Sequence, residues 1–310
     1  MKRRRMLQGL AALPWSATAC GRKDGTALRF SGIPDGDKSA LKEGYAAVSA
    51  YLSKAMDIPV QATPVPDYTA AVTALANGGI DFAWLGGVTT VQAEQRTPDG
   101  VHFVAARASD LHFKSYIIGN AAVAESLGLQ PLTSRAPGSL ASLAALATSL
   151  RGRRFSFGSK SSTSGHVMPR AFFSDPAVGL DPESDFAGGP VYQAQGGHAA
   201  TLRAVASRAV DFGVLNFASW EQADPALQAQ APVLGVTPEF VDYCLVARGS
   251  MPKAQAEALA DAFLALDASN EGHAPVLAAF AAERFVRVTP SSWDGIRDVL
   301  ASLQDAGALK

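Results

Sequence analysis

The chain has 310 residues, 48% hydrophobic and 18% charged, with 27 basic against 28 acidic side chains. That length exceeds the usual size of one core, so two lobes are expected. The balanced charge, the lack of a basic stripe and the sparse aromatics exclude a nucleic-acid partner.

Residues 1–19 read as a secretory signal. Lys2, Arg3, Arg4 and Arg5 form a basic start, Leu7 to Leu13 a short and mostly apolar run, and Ser16-Ala17-Thr18-Ala19 a small-residue stretch before Cys20. The apolar run is too short to span a bilayer. A cysteine directly after small residues resembles the bacterial lipoprotein signal, in which Cys20 becomes the acylated first residue. The alternative is a chance thiol beside a plain cleavage site. The Arg-Arg-Arg-Met-Leu order also resembles a twin-arginine export signal. Residues 20–27 then form a lipid-anchored linker, and the protein sits in the periplasm or at the extracytoplasmic face, touching the membrane through the anchor alone. Four of the 27 basic residues and none of the 28 acidic ones precede Cys20, which leaves a balance of −5. Acylation would leave Cys244 as the only thiol, so no intramolecular disulfide is expected.

Beyond the linker, strand and helix patterns alternate. Ala27 to Ile33 alternates as a strand, and Leu41 to Met56 places Leu41, Tyr45, Val48, Tyr51 and Leu52 at helical spacing. Val60 to Val65 is a strand. Tyr68 to Asn77 is a helix that Asp67 can cap and Gly78-Gly79 can stop. Ile80 to Leu85 is a buried strand turning at Gly86-Gly87. Val101 to Arg107 and Ser115 to Gly119 are strands, and Leu140 to Leu150 a helix. Pro190 to Ala194 and Asp211 to Leu215 are strands around a helix over Ala199 to Ser207. Val241 to Ala247 is a strand, with helix from about Pro252 onward. This alternation predicts parallel sheets covered by helices, with ligands at the carboxyl ends of strands. Gly86-Gly87, Ser161–Ser164 and Asn216 all fall there.

The most informative stretch is Arg154 to His166: a buried strand, a loop of small residues, then a helix start running to about Phe173. A helix start leaves N–H groups without partners at the positive end of its dipole. Ser161-Ser162-Thr163-Ser164 between Gly158 and Gly165 lets backbone close around a small anion. An ordinary Ser/Thr cap is the other reading. The glycine spacing is not that of a P-loop.

Six motifs in order carry a resemblance: Ile33-Pro34-Asp35; Pro66-Asp67-Tyr68; Phe82-Ala83-Trp84-Leu85-Gly86-Gly87; Lys114-Ser115-Tyr116; Phe157-Gly158 with Ser162-Thr163-Ser164-Gly165-His166; and Gly196-Gly197-His198. Behind a lipoprotein-like signal, this order resembles the phosphate/phosphite/phosphonate-binding family of ABC-transporter solute-binding proteins. It looks especially like the selenate-binding branch. The resemblance covers roughly Leu28 to Val246. It implies a type II periplasmic-binding fold of two α/β lobes, each a mainly parallel sheet flanked by helices, joined by two crossing strands and closing on ligand. The crossings are expected near Ser115–Gly119 and Val241–Ala247. Lobe one is then 28–115 with 244–310, and lobe two 116–243.

The resemblance also implies site residues. Tyr68 and Tyr116 match tyrosines that reach the anion. Ser162, Thr163 and Ser164 match its hydroxyl and backbone donors, and His198 a pocket histidine. Asp242 falls where the family places an aspartate after the second crossing. Each has a plainer reading: a sheet-covering helix residue for Tyr68, a strand aromatic for Tyr116, a loop residue for His198, a solvent-facing charge for Asp242. Two departures matter. Ala218 stands where an aminoalkyl-phosphonate binder has an acid, and Ala199 replaces the acid after Gly-His. Both favour a smaller or uncharged-tailed oxyanion. A carboxylate beside an anion repels it unless a proton lies between them, so Asp242 favours a protonated ligand.

The implied partners are a small oxyanion and an ABC permease with its ATPase, with the protein itself a monomer. A ligand-sensing partner of a membrane receptor kinase is the alternative. A serine hydrolase drawn from Ser162 or Ser164 with His198 and Asp242 lacks the Gly-x-Ser-x-Gly elbow, so no enzyme is expected. Five scattered histidines and no paired cysteines give no metal site and no cofactor.

Overall fold

The computed structural model describes residues 27–35, 38–193 and 195–308. The expected signal and Cys20 lie outside them. Among the described residues no helix is long and apolar enough to cross a membrane.

The first half builds one sheet. Leu28–Gly32 (β1) leads into Lys38–Met56 (α1), then Val60–Ala62 (β2), Tyr68–Ala76 (α2), Phe82–Leu85 (β3), Gly87–Arg96 (α3) and Val101–Arg107 (β4). Every residue of β3 is buried, as in a strand covered on both faces. Phe30 stacks on Phe82 and meets Tyr45 of α1 edge-on, so the helical spacing of the α1 apolar residues reads directly as its sheet-facing side. Asp67 caps α2, its Oδ1 accepting the Ala70 N–H at 2.8 Å.

The middle of the chain builds a second sheet. Its elements are Ser115–Gly119 (β5), Ala121–Ser126 (α4), Leu140–Leu150 (α5), Phe155–Phe157 (β6), Met168–Ser174 (α6), Pro182–Asp185 (α7), Val191–Tyr192 (β7), Gly197–Ala206 (α8), Phe212–Asn216 (β8), Phe217–Glu221 (α9), Pro225–Gln230 (α10) and Val233–Val236 (β9). The chain then returns to the first sheet with Cys244–Arg248 (β10), Lys253–Leu264 (α11), Ala274–Ala279 (α12), Phe285–Val286 (β11) and Asp294–Asp305 (α13).

The strand orders are β11-β4-β10-β3-β1-β2 and β7-β6-β8-β5-β9. β1 pairs in parallel with β2 and β3, and β6 with β7 and β8. β10 lies antiparallel between β3 and β4, and β5 antiparallel between β8 and β9. These two inverted strands are the ones that enter from the other lobe, against the direction of their neighbours. The two-residue β11 also pairs antiparallel, with β4. The alternating pattern predicts only parallel pairs because it is blind to a strand arriving from the other lobe and to so short a strand at the sheet edge.

The change of lobe falls earlier than expected. Ser115–Gly119 lies wholly in the second sheet, with Ser115 opposite Asn216, so the crossings are residues 108–114 and 237–243. They bond to each other. Phe113 and Phe240 exchange backbone bonds of 2.8 and 2.9 Å, and the Asp242 N–H donates to the Asp110 carbonyl at 3.0 Å. Buried Arg107 and Asp110 form a bidentate pair at this crossing. The Arg107 guanidinium also lies over the rings of Trp84, Phe113 and Tyr243.

Candidate functional site

The two lobes meet where the carboxyl ends of β1, β3, β6 and β8 face the first residues of β5 and β10. After β6 the chain enters a wide π turn, Thr163–Val167, that leads into α6. Ser162 caps it: its Oγ accepts the Gly165 N–H at 3.0 Å, while its carbonyl accepts the Val167 N–H at 2.9 Å. Gly165 has no room for a side chain, since a Cβ would stand 2.8 Å from Ser162 Oγ and 3.1 Å from His198 Cε1. The Ser115 hydroxyl pins the turn by donating to the Ser164 carbonyl at 2.7 Å.

The start of α3 supplies the opposing side. The Gly87 N–H donates to Asp242 Oδ1 and the Val88 N–H to Thr163 Oγ1, both at 2.9 Å. Asp242 is further fixed by Trp293, whose indole N–H donates to its carbonyl at 2.8 Å. Thr163, Ser164, Asp242, Ser162, Tyr68 and His198 are all buried.

Four of these residues hold a buried polar atom without a hydrogen-bond partner: Tyr68 OH, Ser164 Oγ, His198 Nε2 and Asp242 Oδ2. Each such atom costs about 1–3 kcal/mol. Their concentration on the expected site residues points to a ligand that completes them. The Tyr68 hydroxyl approaches Ser162 without completing a bond.

The protonation states follow from the surroundings. His198 Nδ1 accepts the Asn216 backbone N–H at 3.2 Å, so in the neutral ring Nε2 carries the proton. Burial lowers the His198 pKa to about 4 and keeps the ring neutral. Burial raises the Asp242 carboxyl to about 7, opposed by the Gly87 N–H and the neighbouring Ser164 and Thr163 hydroxyls. Burial, with the charges of Asp35 and Asp242, raises Tyr68 well above the usual phenol range. Three hydroxyls, a phenol, an imidazole N–H and, below about pH 7, a protonated carboxyl therefore converge as neutral donors. No arginine side chain hydrogen-bonds to this cluster among the described residues. Such a set suits a small oxyanion held by fixed dipoles rather than by a counter-charge.

Tyr116 is not brought to the cluster. Alternation along β5 turns Ser115 toward the π turn and Tyr116 to the other face, where its hydroxyl donates to Glu221 at 2.6 Å and its ring meets Trp220. Lys114 instead donates to the Arg135 carbonyl at 2.6 Å. His166 bonds through Nδ1 to the Lys160 carbonyl at 2.9 Å, between the rings of Phe157 and Tyr192. Tyr243 had no signal in the sequence; its hydroxyl donates to Asp35 and accepts from Asn216.

Thr163→Ala removes one hydroxyl and strands the Val88 N–H. Oxyanion affinity is expected to weaken by roughly 1–3 kcal/mol, and the stranded, buried Val88 N–H to lower ligand-free stability by a similar amount. Calorimetry and thermal unfolding on the same variant check this. A lower melting temperature with unchanged affinity would reduce Thr163 to a structural contact.

A model of the family described as "ABC transporter, phosphonate, periplasmic substrate-binding protein" matches residues 30–293. A probable ABC transporter phosphite binding protein, PhnD1 of Prochlorococcus marinus (strain MIT 9301), is 32% identical over 279 residues, spanning 88% of each chain. The structure of PhnD1 from the same organism in complex with methylphosphonate aligns with a TM-score of 0.79 at 30% identity, over 90% of this chain and 98% of that one. A binding-protein component of an ABC phosphonate transporter from Pseudomonas aeruginosa aligns with a TM-score of 0.73 at 22% identity, over 91% and 87%; at that identity the match speaks for the fold.

Proposed function

The chain belongs to the phosphonate-binding family of ABC-transporter periplasmic substrate-binding proteins, and from that premise we propose that it captures a small tetrahedral oxyanion of the phosphite or phosphonate kind between Tyr68, Ser162, Thr163, Ser164, His198 and Asp242. The observation that carries this is the set of unpartnered buried polar atoms on Tyr68, Ser164, His198 and Asp242. A tetrahedral anion offers acceptors in several directions at once, and a protonated Asp242 removes the only charge of the same sign from the cluster. Charge-assisted bonds contribute about 1.5–3 kcal/mol each, so four or more support micromolar binding after ordering costs. In this reading the lobes follow the expected division, 28–115 with 244–310 and 116–243, shifted so that the crossings 108–114 and 237–243 lie between them and Ser115 falls in lobe two.

The hydrolase alternative finds no support in the geometry. His198 Nδ1 bonds to a backbone N–H rather than a carboxylate, and Asp242 bonds to Gly87. The base lacks the orienting acid a triad needs.

Delivery goes to a permease and its ATPase, with the binding protein acting as a monomer. Anchoring at Cys20 rests on the signal-like N-terminus. Cys20→Ser is expected to move the protein from the membrane fraction to the soluble one, and unchanged partitioning would rule the anchor out. Calorimetry against phosphite, methylphosphonate, phosphate, selenate and sulfate tests the ligand class. Binding of phosphite or methylphosphonate at micromolar concentration or below, with sulfate weak, supports the reading. Preference for a fully ionised sulfate or selenate overturns the role of Asp242 as a proton-holding partner.

A further inference from the structure

An interlobe cavity of about 430 Å³ lies beside the oxyanion cluster. Leu41, Tyr45 and Trp84 line it from one lobe and Leu202 and Leu227 from the other, so much of its wall is apolar. Asp35, Tyr243 and Asn216 line it too, and each is tied to the cluster in its own way. Asn216 donates its backbone N–H to His198. Tyr243 follows Asp242 in the chain. The charge of Asp35 acts on Tyr68.

These three residues bond to one another across the lobes. The Asn216 Nδ2 donates to the Tyr243 hydroxyl at 3.2 Å, and that hydroxyl donates to Asp35 Oδ2 at 2.5 Å. The hydroxyl's proton is therefore committed to Asp35 rather than to a bound anion. The Tyr243 ring is held in place by stacking on Trp84, 5.5 Å between centroids, and by the Arg107 guanidinium 4.8 Å from its centre.

We propose that Tyr243 and Asn216, bonded to each other and to Asp35, are specificity-determining residues that wall the oxyanion site off from the neighbouring cavity and confine the ligand to a small substituent on phosphorus. The proposal rests on the oxyanion reading above and adds the size limit. A hydrogen or methyl group stays on the near side of the wall. A longer alkyl chain must pass between Asn216 and Tyr243, breaking the cross-lobe bonds. The space beyond is mixed, apolar at the leucines, Tyr45 and Trp84 and polar at Arg107, Arg203 and Gln222. It is large enough to take such a chain along its apolar side once the wall is breached, so the wall decides the outcome rather than a lack of room.

The test is a ligand series on the full-length protein: methylphosphonate and propylphosphonate, by calorimetry, with melting temperature recorded for each variant. Wild-type protein is expected to prefer methylphosphonate by a hundredfold or more. Asn216→Ser shortens the wall residue yet keeps a side-chain oxygen to cap α9, where Asn216 Oδ1 now accepts the Ser219 N–H. It is expected to shrink that preference at least tenfold. Tyr243→Phe keeps the ring but breaks the bond chain; with the wall loosened the size preference should shrink as well, and methylphosphonate should dissociate about tenfold faster in stopped flow. A merely structural role would lower the melting temperature of both variants and leave the ligand ratio and dissociation rate unmoved, which overturns the proposal. Wild-type protein that takes both phosphonates equally overturns the wall and leaves the oxyanion reading standing. Protein that takes neither phosphite nor either phosphonate overturns both.

Discussion

Gly197→Ala is expected to weaken oxyanion binding by about tenfold to a hundredfold and to leave the lobes apart. Gly197 opens α8 with φ +47, next to His198. A Cβ there would stand 2.9 Å from Asp35 Cα and 3.1 Å from the Asp35 carbonyl oxygen, backbone atoms of the opposite lobe that cannot swing away. Two effects separate by state. The left-handed conformation costs about 1–2 kcal/mol for a residue with a Cβ, whether the lobes are open or closed. The steric clash, about 1–3 kcal/mol for overpacking of this kind, arises only in the closed form. Only the second effect enters the binding equilibrium, because binding draws on closure. Small-angle scattering at a ligand concentration just sufficient to saturate the wild type should show a larger particle for the variant, and calorimetry the weaker affinity. A variant that closes and binds as wild type does would show that the approach of Gly197 to Asp35 is incidental to ligand capture.

Asp242→Asn is expected to remove one proton's worth of pH dependence from binding. The ordinary carboxyl value is 3.8, and burial raises Asp242 to about 7. A folded-state value above the unfolded one means the favourable contribution is complete below about pH 4. It is lost as pH rises through about 7. A shift of this size corresponds to roughly 4 kcal/mol of destabilisation once the group is forced to ionise. The same proton governs the ligand. Below about pH 7 the carboxyl can donate from Oδ2 toward the anion, and above it a second negative charge faces the ligand. Asparagine keeps an acceptor for the Gly87 N–H and places a permanent donor on the other side. The ratio of wild-type to variant affinity for one ligand cancels the ligand's own titration. That ratio should be nearly flat from pH 5 to 6.5 and fall about tenfold per pH unit well above 7. The variant should also be the more thermally stable at pH 8. Parallel pH curves for the two proteins would mean that Asp242 stays in one protonation state throughout.

The local parts of the proposed site lay open in the sequence, whereas Tyr68, His198 and Asp242 entered only through the resemblance. A Ser/Thr run between a buried strand and a helix, an aspartate before a helix, and a glycine pair after a buried strand each work within a few residues. The backbone there behaves as the residue types require: Ser162 caps the π turn and Asp67 caps α2. Tyr116 shows where that reasoning ends. Its place in β5 was legible, but the face it presents depends on the register of β5 against β8 and β9, and that register puts its hydroxyl on Glu221. The four-residue β9 gives no signal in the sequence, because a short, wholly buried run has no period to read.

The sequence by itself determined the alternation of strand and helix and, through the resemblance its ordered motifs carry, the two-lobed fold and most of the residues proposed to hold the oxyanion. Only the tertiary structure decided that β5 and β10 run against their neighbours, that Asn216 sets the proton on His198, and that Tyr243 joins Asp35 to Asn216 across the lobes. The division has a physical cause. Patterning and capping record interactions within about four residues along the chain. A proton's position, a buried carboxyl's charge and a contact between lobes are set by groups distant in sequence, brought together when the apolar faces of both sheets are buried.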